Sequence, residues 1–301
     1  MKRFGAGAWI LGLLTAGPGW SAEGAPASPG VAAGVPQSVP PNIDRNVSND
    51  ASRSAILDAI PDANADAAPQ APTESADDRE QLDLVVKGAT ELKAGRRQEA
   101  LAIFDAVIDH YRRANAGEKR DIYCAREAPE ALFYLARAAN QHRDARVIGP
   151  AWANAYMLKG YALVELGRTK EARAAVEAAI ALSPFNSQFL GELGYLHQVD
   201  RAWTEALATY ELSAEGARST SPESSRNSDL ARALRGQGYA LTELGRLDEA
   251  EAVYRKCLEL DSADAKAVNE LRYIQSLRDT LRDKRGLRDK RAVKGPSPDK
   301  P

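Results

Sequence analysis

Residues 160–168 read GYALVELGR and residues 238–246 read GYALTELGR, so the two stretches differ only where Val164 is replaced by Thr242. A third stretch opens with the letters GYL at Gly194, which lies 34 residues after Gly160. Repetition at this spacing is typical of an array in which each unit is a helix–turn–helix and neighbouring units bury a shared core.

The copy at 153–186 shows why each position needs its residue type. Gly160 is the small residue where the two helices of the unit approach closely, and Gly167 is a candidate for the left-handed residue that ends the first helix. Ala172 and Val176 begin the buried stripe of the second helix, and Pro184 ends it. The copy at 231–264 places Gly238, Gly245, Ala250, Tyr254 and Cys257 in the corresponding roles.

These residues and their period resemble the tetratricopeptide repeat family. The resemblance implies an all-α, right-handed superhelical solenoid, with units at 81–114, 153–186, 187–220 and 231–264. Residues 119–152 are interpreted as a degenerate repeat, because Ala138, Ala145 and Pro150 match the spacing of a second helix although Pro129 interrupts the first. The unit at 187–220 departs from the pattern, with His197 on the buried stripe and Arg201 in place of the capping glycine.

The C-terminal part contains three further segments. The polar run at 221–228 is expected to be a surface loop before the last repeat. Residues 265–285 are expected to form a capping helix, because a terminal repeat needs a cover for its apolar face. Residues 286–301 are predicted to be a disordered basic tail. The stretch 278–291 is basic, and its interspersed aspartates and lack of aromatic residues favour a solvated helix end and frayed tail over a contact with nucleic acid or anionic lipid.

The N-terminus has the pattern of an export signal. A basic start at Lys2 and Arg3 precedes an apolar run to about Ala16, and small residues at 21–24 provide cleavage sites. We therefore expect a signal peptide at 1–22 and a periplasmic or secreted mature chain of bacterial type, with a retained anchor as the alternative. Residues 23–76 are Pro- and Ala-rich and read as a disordered linker, in which 54–60 is interpreted as a transient helix rather than a docking motif.

The composition argues against catalysis and against nucleic acid as a partner. Forty Lys and Arg residues balance 42 Asp and Glu residues, and the chain has three histidines and two cysteines. Neither a metal-ligand spacing nor a phosphate-binding loop is present, so we expect no enzyme, cofactor or metal site. His142 and His197 are expected on interior stripes and Cys257 in the core. A disulfide between Cys124 and Cys257 is not expected.

The family resemblance also implies where a partner would bind, because the first helix of each repeat lines the concave surface. The ninth repeat position holds Tyr161, Tyr195 and Tyr239, whose rings suit an extended peptide. The same rule implies that further side chains of the predicted binding site surround these tyrosines, namely Asn154, Met157, Gln188, Gln198, Arg232, Arg235 and Thr242.

We therefore expect a non-enzymatic scaffold that binds a peptide or partner protein on the concave face of the repeats. Envelope-associated or secretion-related complexes are the settings that the resemblance implies. The alternative function is a structural repeat protein that assembles with further copies of itself.

Overall fold

The computed structural model describes the backbone of residues 75–293 and the side chains of residues 75–283. Ten helices and two short strands make up this part of the chain. In chain order they are α1 (Ala76–Lys93), α2 (Arg97–Ala114), β1 (Asp121–Cys124), α3 (Ala128–Asn140), β2 (Ala145–Ile148), α4 (Ala151–Glu165), α5 (Thr169–Leu182), α6 (Ser187–Val199), α7 (Trp203–Ser219), α8 (Glu223–Glu243), α9 (Leu247–Leu260) and α10 (Ala265–Val293).

Eight of these helices form four successive pairs, α1/α2, α4/α5, α6/α7 and α8/α9, and each pair packs on the next. The prediction of a helical repeat solenoid is therefore confirmed. Helix α2 packs directly against α4, so the first repeat joins the stack although 36 residues separate the two helices in sequence. Helix α10 covers the end of the last pair through the buried side chains of Ala267 and Ile274.

The repeated glycines do what the sequence pattern requires. A Cβ atom on Gly160 would lie 2.9 Å from Cγ2 of Val176, a distance that real Cβ atoms essentially never show. Gly167 ends α4 with a φ of 75°, in the left-handed region that favours glycine. The N–H of Arg168 then donates to the carbonyl of Leu163, as in a Schellman motif.

The segment 119–152 is not a degenerate helical repeat, and the prediction made for it is wrong. It forms a β–α–β insert between α2 and α4, in which β1 and β2 pair in parallel. One face of this sheet contacts the repeat core through Ile122, Cys124 and Ile148. The other face contacts the cluster around α3 through Tyr123 and Val147. Branched and aromatic residues on both faces suit strands that are covered from both sides.

Two other segments differ from expectation. The polar run at 221–228 is largely helical, because α8 begins at Glu223. Its polarity is used within the protein, since the hydroxyls of Ser221 and Ser225 donate to the Asp229 carboxylate at 2.8 and 3.0 Å. At the C-terminus, α10 runs on to Val293, so part of the predicted tail 286–301 is helical.

The predicted signal peptide and almost all of the predicted linker lie outside the described residues. Ser75 and Ala76 are the exceptions, because the Ser75 hydroxyl caps α1 by accepting a hydrogen bond from the N–H of Asp78. None of the helices within 75–293 is both long enough and apolar enough to cross a membrane.

Candidate functional site

The first helices of the last three repeats present a common surface, which we call the first-helix face. It carries the tyrosines of the ninth repeat position, Tyr161 on α4, Tyr195 on α6 and Tyr239 on α8. Tyr195 has 41% of its surface exposed, and Tyr161 and Tyr239 are half-buried. Tyr239 rests edge-to-face on Trp203 of α7, with 5.9 Å between ring centroids. Only Tyr195 of the three is thus presented openly to a ligand.

Tyr161 belongs to a polar cluster that connects three first helices. Burial raises the pKa of its hydroxyl well above the usual value, and the negative charge of Glu192 on α6 raises it further. Burial also raises the pKa of Glu192, an effect that the guanidinium of Arg232 on α8 opposes at 3.3 Å from the carboxylate. The Glu192–Arg232 pair therefore links α6 to α8 on this face, and the Tyr161 ring packs on the core.

A second polar group lies at the start of α10. The guanidinium of Arg235 binds the Asp264 carboxylate at 2.6 Å. Burial tends to raise the pKa of Asp264, but the N–H of Ala267 and the Arg235 guanidinium bring it below its ordinary value. The pKa of Lys266 is lowered by partial burial and by the neighbouring positive charge of Arg235. This end of the first-helix face therefore has an exposed lysine beside a guanidinium that is already paired.

The structure places the other predicted site residues unevenly. Gln188 is half-buried, and its amide donates to the Asp229 carboxylate at 3.2 Å. Asn154 and Gln198 are half-buried. Met157 and Thr242 were expected on the surface but lie in the interior. Met157 has no exposed surface, and the Thr242 hydroxyl donates to the Gly238 carbonyl. A partner cannot reach these two side chains. Met157, at the fifth repeat position of α4, and Thr242, at the twelfth position of α8, both point inward.

One residue of the face was missed by sequence analysis. Tyr273 of α10 lies 34 residues after Tyr239, at the same position of the repeat period, and 41% of its surface is exposed. Its hydroxyl contributes to the raised pKa of Tyr239, which is caused mainly by burial. The 34-residue interval alone could have identified it, although Arg272 stands where a glycine precedes each of the other three tyrosines. The row of tyrosines thus extends from the repeats onto α10.

The histidines and cysteines do not assemble into a reactive site. His142 was expected inside but is exposed at the end of α3, where it adopts a left-handed φ of 54°. His197 is half-buried, and burial lowers its pKa. Cys124 and Cys257 are free thiols, and burial raises their pKa values to about 12 and about 11. Within the described residues, no group of three His, Cys, Asp or Glu side chains could hold a metal ion.

Comparison with known proteins agrees with the architecture. Two tetratricopeptide repeat models match the chain, at residues 157–222 and 231–264. No curated protein sequence matches it.

Several solved structures are similar to it at low identity. MamA AMB-1 is 19% identical and covers 74% of this chain and 96% of its own, with a TM-score of 0.42. The N-terminal domain of stress-induced protein-1 from C. elegans is 20% identical and covers 42% of this chain and 96% of its own, with a TM-score of 0.38. The first TPR domain of the human RPAP3 protein is 23% identical and covers 45% of this chain and 98% of its own, also with a TM-score of 0.38.

Stacked helix pairs with small residues at their crossings and a covering helix at one end define an α-solenoid repeat protein. Residues 157–222 and 231–264 of this solenoid are tetratricopeptide repeats, since family models match these two stretches and the structure divides them into helix pairs.

Proposed function

We propose that the protein is a non-enzymatic scaffold that binds an extended segment of a partner protein along the first-helix face. The observation that carries this proposal is the row of tyrosines at one repeat position, with Tyr195 and Tyr273 each 41% exposed. Tyrosine offers a large apolar ring and a hydroxyl while losing little conformational entropy on binding, which suits recognition of peptides.

Charged groups beside the tyrosines favour a partner that is not held mainly by its carboxylates. Arg232 and Arg235 are paired with Glu192 and Asp264 of the protein itself. A ligand carboxylate would have to compete with these pairs, so we expect apolar contact with the tyrosines to contribute more binding free energy than charge. Lys266 lies exposed beside the Arg235–Asp264 pair.

The proposed setting follows from the N-terminal sequence. A basic start, an apolar run and small residues near 21–24 support export to the periplasm or beyond, where the scaffold would act in an envelope or secretion complex.

The test is photo-crosslinking in the native cells, with a benzophenone amino acid at Tyr195 and, as the control, at Leu281. Leu281 has 47% of its surface exposed and lies in the second half of α10, eight residues beyond Tyr273. We expect one recurrent partner to be captured from position 195 and not from position 281. Equal capture from both positions would refute the binding face, and capture of this chain alone would replace the proposal with self-assembly.

Affinity for the captured partner then tests the tyrosines themselves. The double variant Tyr195→Ala/Tyr273→Ala should lose at least about tenfold in affinity, since exposed aromatic residues at interfaces dominate binding free energy. Its melting temperature should stay within about 2 °C of the parent, because both rings lie at the surface. The Leu281→Ala variant should bind as the parent does.

A further inference from the structure

The outer edge of strand β2 is unpaired among residues 75–293. In the parallel pair with β1, the N–H of Ala125 donates to the Ile148 carbonyl at 3.0 Å. The backbone groups of Ala145 and Val147 therefore point away from β1, because alternate residues of a strand direct these groups to opposite sides. No hydrogen bond within the described residues reaches the N–H or C=O groups of these two residues. Such an edge is a template for another strand.

The outer edge of β1, in contrast, is closed by the repeats. The Ser183 hydroxyl donates to the Cys124 carbonyl at 2.8 Å on that edge. Two residues further on, the ring of Phe185 contacts α3 through Phe133, at 5.1 Å between centroids, and through the guanidinium of Arg137 at 4.7 Å. One flank of α3 therefore faces the closed edge of the sheet.

The opposite flank of α3 faces the open edge, and it is apolar. At 100° per residue, Leu132, Leu135 and Ala139 lie together on this flank. Leu132 and Leu135 have 50% and 39% of their surface exposed. An apolar helix flank thus continues the unpaired strand edge into a single surface.

The two leucines lie level with the middle of this edge. The ring of Tyr134 on α3 stacks on Tyr123 of β1, with 5.2 Å between centroids, and Tyr123 is the register partner of Val147. The part of α3 around Tyr134 therefore lies over Val147, whose side chain contacts the cluster beneath the helix. Leu132 and Leu135 are thus placed on either side of the level of Val147.

The two ends of this flank carry opposite charge. Glu127 directly precedes α3, is exposed, and forms no ion pair within residues 75–283. At the other end, His142 and Arg143 follow α3 and are exposed, and Arg143 also binds the Asp121 carboxylate at 2.6 Å. An antiparallel copy of α3 would bring Glu127 of each chain to the basic end of the other, and it would oppose the two helix dipoles favourably. The surface is therefore complementary to itself in charge as well as in shape.

We propose that two copies of the protein pair antiparallel along the β2 edge, with Val147 of each chain opposite Val147 of the other. The two sheets then continue as one sheet of four strands. The two α3 helices are two strand spacings apart, about 10 Å, which is the distance at which packed helices touch. Four leucines and two valines meet around the two-fold axis, and the paired edges satisfy each other's backbone groups.

The other symmetric registers are less favourable. Residues that pair across strands keep their side chains on one face, so the axis has to pass through a residue. An axis at Arg146 would oppose two guanidinium groups. An axis at Ala145 would pair Arg146 with Asp144 of the other copy, but it would place the leucines level with residues that follow α3. Exposed ion pairs contribute less free energy than buried leucines, so the register at Val147 is favoured.

Sedimentation equilibrium of the full chain, over about a hundredfold range of concentration, tests the dimer. We expect the parent to pass from monomer to dimer. The Leu132→Asp/Leu135→Asp variant should self-associate at least about a hundredfold more weakly, because the contact would bury four carboxylates among aliphatic groups. The matched Val199→Asp/Leu281→Asp variant should associate like the parent, since it alters two aliphatic residues that are 55% and 47% exposed elsewhere. A parent that stays monomeric, or equal weakening by both variants, would overturn the proposal.

Amide hydrogen exchange of the parent tests the strand pairing without any substitution. Exchange at Val147 should be about tenfold slower in concentrated solution than in dilute solution, because only the dimer protects this N–H. The amide of Ser262, in the exposed turn before α10, is the control and should exchange at one rate. Fast exchange at Val147 in a dimer would show that the copies meet through another surface. Slow exchange at every concentration would show that the chain covers its own edge, and either result would overturn the proposal. None of these contact residues belongs to the first-helix face, so the inference is independent of the function proposed above.

Discussion

A single residue decides how tightly each first helix can turn into its partner. Gly95, Gly167 and Gly245 end α1, α4 and α8 with φ values of 74–80°. Arg201 takes this place after α6 with a φ of 58°, and the N–H of Ala202 still donates to the His197 carbonyl. The turn is thus kept in the one repeat that lacks the glycine, at the cost of a strained backbone.

Replacing Arg201 by glycine should therefore stabilise the protein. We expect Arg201→Gly to raise the free energy of unfolding by about 0.5–1 kcal/mol, because the left-handed strain disappears and the greater freedom of glycine in the unfolded chain offsets part of the gain. Gly167→Ala makes the opposite change, because it replaces a glycine in the left-handed conformation by a residue with a Cβ atom. A Cβ there would meet no atom within 4 Å, so only the backbone penalty remains, and a loss of about 1 kcal/mol is expected by urea denaturation. An unchanged or lower stability for Arg201→Gly would contradict this account.

Residue-level prediction succeeded where one backbone requirement dictates one residue type. Gly167 and Gly245 follow from the left-handed turn, and Gly160 follows from the close crossing. The surface positions are less determined, because the family's rule for groove positions takes no account of how deeply a helix sits. Met157 obeys that rule in sequence but lies in the core.

At the scale of elements, a hydrogen-bond network around the buried carboxylate of Glu130 connects the β–α–β insert to the repeats. Glu130, on α3, accepts hydrogen bonds from the Arg126 guanidinium at 2.9 and 3.2 Å and from the Tyr134 hydroxyl at 3.0 Å. The same guanidinium donates to the carbonyl of Thr220 at the end of α7. Each group in this network has a partner, as buried charges require.

Removing the acid should loosen the insert while leaving the repeats folded. Glu130→Ala leaves the Arg126 guanidinium without its charge partner, which costs about 3 kcal/mol in comparable buried pairs. We expect faster amide exchange throughout α3 and β1 and little change in α8 and α9. Glu127→Ala is the control, because Glu127 is exposed and makes no capping hydrogen bond. A uniform increase of exchange over the whole chain would show that the insert does not open separately.

The insert also shows what sequence reasoning at this scale cannot recover. Its strands have four residues each, too few for a period of two to be told from a helical stripe. Ala138 and Ala145 matched a helical spacing by coincidence. Pro129, which looked like a break in a helix, lies in the first turn of α3, where proline is tolerated. The loop predicted at 221–228 was wrong for a related reason. The polarity of this run suggested contact with solvent, but the hydroxyls of Ser221 and Ser225 donate to the Asp229 carboxylate.

Over residues 75–293 the protein is a stack in which each pair of helices mainly contacts its neighbours. Its buried side chains divide into a cluster that runs from α1 to α6 and another that runs from α7 to α10, with the insert's small cluster beside them. In such arrays stability is close to a sum of repeat and interface contributions. A destabilising substitution at one end of the stack should therefore lower the local free energy of unfolding at that end only.

A matched pair of isoleucines tests this property. Ile274 on α10 and Ile108 on α2 have 1% and 2% of their surface exposed and belong to different clusters. Either substitution by alanine should cost about 2–5 kcal/mol locally, since it removes three methyl or methylene groups from a packed core. Ile274→Ala should speed amide exchange in α9 and α10 and leave α1 and α2 protected, whereas Ile108→Ala should give the reverse. If both variants accelerated amide exchange equally in all helices, the stack would unfold as one cooperative unit. A partner bound along the first-helix face would then stabilise the whole array at once, whereas in a separable array it would couple the stabilities of the two ends.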